Sequence, residues 1–287
     1  MKNKKYKVFG LNIISRNLDV PELKYTKSSK CDVEVLRESN KNWTQNTLFD
    51  KKYKNLLINK NELILHVKGI ADFKVSYGNK ILWHNLKKTY LEDEIRTYIL
   101  GSAIGAILIQ RGHLVLHANA LTKGGKTIVC AGDPGGGKST LAYSLMKRGW
   151  SLLSDDLVAL SNKFFVLPGI PRIKLWEDAI SYFGVDKNEI TRIRKDMNKY
   201  QLSGNSVKSI LIKKKLSTIY ILDGHQKAEG IKKIIGDKCK LINLMSYIYR
   251  PLYVREFNKR KNYFKNMSEI IKKVPIYKLS LPNTLSK

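Results

Sequence analysis

The sequence predicts an α/β protein: a mixed sheet with helices over residues 91–287, preceded by a small β-rich domain over residues 1–90. Three observations carry this expectation. Residues 127–149 run from a strand-like segment through a glycine-rich loop into a helical pattern. Within residues 31–83, alternating patches (CDVEVL, ELILHV, FKVSY) are separated by Asn, Lys and Gly turns, which favours strands. From Leu91 the period changes to that of a helix.

Taken in order, residues 1–30 read as strand and loop, KVFGLNIIS followed by LDVPELKY with its proline break. The segment LFDKKYKNLLINKNELILHV predicts a hairpin through Asn59–Asn61. His66 and His84 are isolated, which suits structural or exposed roles. In LEDEIRTYILGSAIGAILIQRG the acids fall in the first turns, and Leu100, Ala103, Ile104, Ile107 and Leu108 recur at helical spacing. Gly101 and Gly105 allow another element to approach closely. HLVLHANALT then alternates as a strand, and KGGK turns it back into the strand Thr127–Ala131. WSLLSDDLVAL is a strand region interrupted by Asp155 and Asp156. Residues 186–209 are polar and basic and read as a mobile loop or helical excursion beside a substrate entrance. LSTIYIL is a strand, while KLINLMSYIYRPLYVREF and NYFKNMSEIIKKV read as helices, with Arg250 and Arg255 either capping surface faces or reaching the active site.

The 287 residues suffice for one large core or two smaller ones, and 43% hydrophobic residues fit a globular chain. The net charge of +29 is spread along the chain, with Lys far exceeding Arg. It reads either as a compositional bias that leaves a solvated lysine surface, or as attraction for an acidic peptide, a nucleotide or nucleic acid. Cys31, Cys130 and Cys239 have no paired spacing, so neither a disulfide framework nor a zinc site is expected. The longest apolar stretch, Ile99–Ile109, has 11 residues, too short to span a bilayer, and no cleavable leader follows the basic N-terminus. The expected location is cytoplasmic.

Chemistry concentrates in AGDPGGGKST. Gly132, Gly137, Lys138 and Ser139 satisfy the phosphate-loop pattern G-x-x-x-x-G-K-[ST], in the strand–loop–helix context that the pattern requires. A triphosphate needs many donors aimed at one point, and only backbone without Cβ atoms curls closely around it; Gly135, Gly136 and Gly137 allow that. The helix beginning near Ser139 and Thr140 points its positive end at the anion. Lys138 would neutralise the β- and γ-phosphates, and Ser139 would offer its hydroxyl to Mg²⁺. Asp133 and Pro134 stand in the middle of the loop. Asp133 either faces Mg²⁺ or a basic side chain, or is a solvent-facing residue that initiates the turn. ATP and Mg²⁺ are therefore the expected ligands, bound by Gly132 to Thr140.

Apolar residues followed by acid, this soon after a phosphate loop, are what a metal-facing carboxylate at a strand end requires. Two adjacent carboxylates, Asp155 and Asp156, allow one to hold metal while the other accepts the proton of an attacking hydroxyl. Arg172, between the prolines of LPGIPRIKLW, either clamps a phosphoryl group or a peptide carboxylate bidentately, or is a surface arginine.

The stretch Leu116–Leu160, LHANAL…GDPGGGKSTLAYSLMKRGWSLLSDDLVAL, resembles the catalytic core of the HPr serine kinase/phosphorylase superfamily, whose fold is of the HPr kinase and PEP-carboxykinase type. His117, Lys138, Ser139, Arg148, Gly149, Asp155, Asp156 and Val158 fit in order and spacing. The resemblance implies ATP-dependent phosphorylation of a peptide or protein serine. It implies Asp155 as catalytic base with His117 modulating it, and Ser139 and Asp156 as Mg²⁺ ligands, although the sequence leaves open which aspartate does which job.

The chain departs from that superfamily where Pro134 replaces the usual serine and where LPGIPRIKLWEDAI replaces an LEIRG-type signature. Together with YKVFGLNIIS…LDVPEL and VPIYKLSLP, it looks like a divergent branch that includes the kinases of lasso-peptide gene clusters, which phosphorylate a C-terminal serine of a precursor peptide. The expected activity is therefore serine phosphorylation of such a peptide. A regulatory HPr-type kinase/phosphorylase and a nucleotide-dependent nucleic-acid-binding module are the alternatives. The expected partner is a serine-bearing peptide or protein, with no nucleic acid or membrane, and a homo-oligomer is left open.

Overall fold

The computed structural model describes residues 3–39, 53, 55–87, 90–193, 197–225 and 230–281. These fold as a mixed α/β protein with several sheets and few helices. The chain forms two compact units. One comprises Met1–His113 with Arg250–Tyr263, and the other Leu114–Tyr249 with Phe264–Lys287. The compact division thus falls after His113, whereas the sequence put the boundary after residue 90.

The first unit is built on one eight-stranded sheet. Its strands are β1 (Lys4–Val8), β2 (Leu11–Arg16), β3 (Lys24–Tyr25), β4 (Val33–Arg37), β5 (Leu56–Ile58), β6 (Glu62–Val67), β7 (Ala71–Ser76) and β8 (Lys80–Asn85). They lie in the order β3-β1-β2-β4-β8-β7-β6-β5, with β2–β4 and β4–β8 parallel. The alternation in the sequence is the alternation of burial: Val33 and Val35, Phe73 and Val75, and Ile81 and Trp83 are all buried. β5 and β6 form the hairpin expected through Asn59–Asn61. His66 pairs with Asp72 at 2.5 Å, which makes it structural.

The helical stretch that begins after Leu91 is α1 (Glu92–Tyr98), a π-helical turn Ile99–Ala103 and α2 (Ile104–Gln110). Its apolar stripe is fully buried at Ile104, Ile107 and Leu108. This burial makes the stretch part of the first unit.

The second unit contains the glycine loop. HLVLHANALT is two strands rather than one, because the chain breaks at His117 into β9 (Leu114–Leu116) and β10 (Ala118–Lys123). The chain continues as β11 (Lys126–Ala131), α3 (Lys138–Lys147), β12 (Ser151–Ser154), β13 (Val158–Leu160), β14 (Phe165–Val166), β15 (Arg172–Trp176) and α4 (Glu177–Phe183). It then forms β16 (Ile190–Arg192), β17 (Lys199–Ser203), β18 (Lys214–Lys215), β19 (Thr218–His225), β20 (Gly230–Lys233) and α5 (Asp237–Met245). After α6 (Pro251–Glu256) in the first unit, α7 (Arg260–Lys273) leads into β21 (Ile276–Leu281).

A six-stranded sheet runs β12-β10-β11-β19-β21-β20. It is mixed, since β11, β19 and β21 are parallel while β12, β10 and β20 pair antiparallel with their neighbours. Gly124 and Gly125 both take positive φ (54° and 76°) in the β10–β11 turn, the conformation a two-residue hairpin needs. β9, β13, β14 and β18 make a four-stranded antiparallel sheet, and β15, β17 and β16 a three-stranded one.

Two further sequence expectations are corrected. Residues 186–209 are not a loop or helical excursion: β16 and β17 pair within them and β17 pairs with β15, because Ile190, Tyr200 and Leu202 pack on the core. Residues 194–196 of that stretch lie outside the described residues. The run 240–257 is not one helix either. α5 ends at Met245, and after the intervening turn Arg250 (φ 45°) precedes Pro251, which lacks an N–H and opens α6.

α3 shares one core with the two sheets beside it. Leu121, Ile128, Cys130 and Leu152 come from the mixed sheet, Ile173, Leu175 and Leu202 from the three-stranded sheet, and Ala142 and Tyr143 from the helix. Leu175→Ala is expected to cost about 2–5 kcal/mol in urea unfolding of this unit, the usual range for emptying a well-packed site. A loss below about 0.5 kcal/mol would mean that the three-stranded sheet does not pack there.

Candidate active site

The glycine loop joins β11 to α3, and its shape is set by close approach. A Cβ on Gly132 would lie 2.8 Å from Leu222 Cβ of β19, closer than carbon atoms can pack, so this strand end tolerates no side chain. Gly135 and Gly137 take φ of 81° and 85°. Gly136 donates its N–H to the Asp133 carbonyl at 3.0 Å, closing the turn. Asp133 and Pro134 are exposed, as a solvent-facing turn would have them. Gly137 is the N-cap of α3 and brings no side-chain cap, so the first N–H groups of a ten-residue helix face the loop, with Thr140 in its first turn.

Lys138 is buried and its ammonium donates to the carbonyls of Gly132 (2.7 Å) and Asp133 (2.9 Å). The cation therefore lies across the loop that precedes it. Burial, aided by Lys199, pulls its pKa below the ordinary lysine value, while Asp156, Asp155 and Asp133 oppose that shift.

The two aspartates follow β12, and they do not behave alike. In extended backbone, adjacent side chains point to opposite faces. Here Leu157 N–H bonds to the Asp155 carbonyl at 2.8 Å, and Asp156 takes φ of 64°, a left-handed turn that costs a non-glycine residue about 1–3 kcal/mol. The turn brings both carboxylates onto one residue, Lys174 of β15. Its N–H donates to Asp155 Oδ2 at 3.0 Å and its ammonium sits 2.8 Å from Asp156 Oδ2. Ser139 donates its hydroxyl to Asp155 Oδ1 at 3.4 Å. Burial, then the neighbouring Asp156 charge, raises Asp155 to about 7. Burial would raise Asp156 as well, but Lys174, Lys199 and His117 more than offset it and hold this carboxyl well below the usual range.

His117, at the break between β9 and β10, pairs through Nδ1 with the Asp156 carbonyl at 3.0 Å. A carbonyl only accepts, so Nδ1 carries the hydrogen and the neutral ring presents Nε2 as acceptor. Burial and then Lys138 lower its pKa, which keeps the ring neutral at physiological pH. Its backbone N–H is fixed by the Tyr247 carbonyl at 2.8 Å.

Arg172 is buried and donates to Gln201 Oε1 at 3.1 Å, so it is no surface arginine. Arg250 bonds Ser102 at 2.8 Å, and Arg255 engages Glu256 at 2.7 Å and Tyr53, all in the first unit. Cys31, Cys130 and Cys239 are free thiols, and burial pushes Cys130 up to about 12, an unreactive hydrophobe.

The structure thus gathers Lys138, Ser139, Asp155, Asp156 and His117 at one place. It adds residues that the sequence reading did not select. Lys174 is the principal one; Lys199 is near enough for its charge to act on both aspartates, and Asn119 accepts from the Asp156 N–H at 3.3 Å. A signal for Lys174 existed in RIKLW, where strand alternation puts Arg172, Lys174 and Trp176 on one face and the buried Ile173 and Leu175 on the other. Ser139 and the aspartate pair are hard oxygen donors beside the glycine-loop Lys138, a donor set that fits Mg²⁺.

No protein-family description matches the chain, and no curated protein matches it either. Among solved structures, the HPr(Ser) kinase/phosphatase from Coxiella burnetii is similar at 15% identity with a TM-score of 0.31, over 60% of this chain and 81% of that one. Among the described residues, no helix is long and apolar enough to cross a membrane.

The raised Asp155 pKa has a consequence for stability. Below about pH 4 the carboxyl is protonated in the folded and unfolded chain alike; between about 4 and 7 only the unfolded chain releases the proton, so stability falls across that window and then levels. In buffer with chelator, Asp155→Asn should flatten this decline and be at least as stable as wild type at pH 8, measured by urea unfolding. An unchanged slope would show that Asp155 ionises normally.

Proposed function

We propose that this protein is an ATP- and Mg²⁺-dependent kinase that phosphorylates a serine hydroxyl of a peptide, most specifically a ribosomally made precursor peptide of the lasso type. The observation that carries the reading is the assembly, at one place, of Lys138 and Ser139 of the glycine loop with the Asp155 carboxyl, which accepts from the Ser139 hydroxyl at 3.4 Å. Sequence resemblance to the HPr serine kinase/phosphorylase superfamily, and to its lasso-peptide branch, supports the acceptor class.

In this mechanism the backbone N–H groups of Gly132 to Thr140 and the end of α3 hold the phosphates, and Lys138 turns from its carbonyls to them. Ser139 and Asp156 would hold Mg²⁺; when bound, the ion neutralises charge that develops on the transferring group. Asp156 suits that role because its carboxyl is ionised at every physiological pH. Asp155 accepts the proton of the serine hydroxyl as its oxygen bonds to the γ-phosphorus and the bond to the β-phosphate oxygen breaks, releasing ADP. A base near pKa 7 is matched to that task. His117, neutral and fixed on the Asp156 carbonyl, steadies the turn that carries both carboxylates. Arg172, buried beside Gln201, is assigned to the transferring phosphoryl group as a guanidinium clamp.

Mass spectrometry after incubation with MgATP and short serine peptides tests the reading. The expected result is a gain of one phosphate on serine, lost with Lys138→Met and reduced by about 10²- to 10⁴-fold with Asp155→Asn. Binding of MgATP with no transfer to any peptide would overturn the peptide-kinase reading. In the wild type, the transfer rate should rise as pH increases through about 7, where Asp155 loses its proton. A flat profile between pH 5.5 and 8.5 would remove Asp155 as the base.

A further inference from the structure

One residue outside the phosphate-loop and aspartate motifs engages both carboxylates. Lys174 gives its backbone N–H to Asp155 (3.0 Å) and its ammonium to Asp156 (2.8 Å). The two contacts come from chemically independent parts of the residue, so each can be altered without the other. Lys174 is also the middle residue of β15, paired with Gln201, with Ile173 and Leu175 buried on either side. The strand therefore cannot slide to relax the contact. Adjacent carboxylates, one buried and one half-buried, repel each other, and the left-handed turn at Asp156 stores further strain. Something must hold that turn in place.

We infer that Lys174 is a positioning residue of the phosphotransfer site: its ammonium fixes Asp156 in the orientation that meets the cation, while its main-chain N–H keeps Asp155 aimed at Ser139. The inference rests on the kinase reading above and adds to it a residue that acts through Asp156 rather than on the substrate. Carboxylates that hold a metal work only when their own outer contacts orient them, and loss of such a contact commonly costs about 10- to 100-fold in affinity or rate. Lys199 also acts on Asp156 electrostatically, but its ammonium lies over the Trp176 ring at 5.2 Å; only Lys174 donates to both aspartates among the described contacts.

The test is a double-mutant cycle on Lys174→Met and Asp156→Asn, with Lys174→Arg as the conservative replacement. Each protein is read for ADP formation from MgATP, with and without acceptor peptide, and for Mn²⁺ affinity in the presence of ADP by electron paramagnetic resonance. Lys174→Met keeps the N–H on Asp155 and removes only the ammonium. It should weaken Mn²⁺ and slow ADP formation by about 10- to 100-fold, with Lys174→Arg recovering most of the loss. Because the effect passes through Asp156, the double variant should be no worse than Asp156→Asn alone. Losses that multiply would overturn the inference, as would a Lys174→Met protein with wild-type Mn²⁺ affinity and turnover. If Lys174→Met does not fold, Lys174→Gln, which is polar but uncharged and one atom shorter and so also removes the ammonium contact, is carried through the same cycle with the same expected losses. Wild type that binds Mn²⁺ with ADP yet phosphorylates no peptide would sink the peptide-kinase reading alone, and the cycle on ADP formation and Mn²⁺ would still decide the role of Lys174.

Discussion

The site depends on how closely β11 can approach β19 at Gly132. A Cβ there would lie 2.8 Å from Leu222 Cβ; with none, the chain leaves the sheet beside β19 and the loop folds back on itself. That fold sets the carbonyls of Gly132 and Asp133 where Lys138 reaches both, and it starts α3 with its N–H groups turned inward. The apolar side of α3 is buried between two sheets, so the helix is fixed by packing on one side and is free to serve an anion at its end.

The charges follow from that frame. Lys138, Lys174 and Lys199 act on two carboxylates with no more than partial access to water. Such a group of cations exceeds what the carboxylates need for neutrality, which suits an anionic ligand. Within it, small differences of geometry divide the aspartates. Asp156 carries the ammonium and stays ionised; Asp155 has an N–H, a hydroxyl and a charged neighbour, and titrates near neutrality. Two side chains identical in sequence are thereby shifted in opposite directions.

The glycine-loop segment was the most legible part of the chain, because its strand, turn glycines and helix follow one another within a few positions and their spacing is local. The hairpins were legible too, since alternation and turn residues act over a few positions, as at Asn59–Asn61 and Gly124–Gly125. What the sequence hid was non-local. β16 and β17 read as polar loop because Lys199, Gln201 and Ser203 lie on the side of the sheet away from the core, leaving only Tyr200 and Leu202 to signal a strand. The split of HLVLHANALT at His117 follows from sheet membership, which no local pattern encodes. Lys174 escaped notice because its importance arises only when β15 meets the aspartate turn.

Equilibrium titration with ATP, ADP and AMP in the presence of Mg²⁺, on wild type and Lys138→Met, tests the central claim most directly. Recognition through the β- and γ-phosphates requires that ATP and ADP bind, that AMP does not compete, and that Lys138→Met loses most of the affinity. AMP binding as tightly as ATP, or a Lys138→Met protein with unchanged affinity, would contradict the assignment of the loop as a phosphate site.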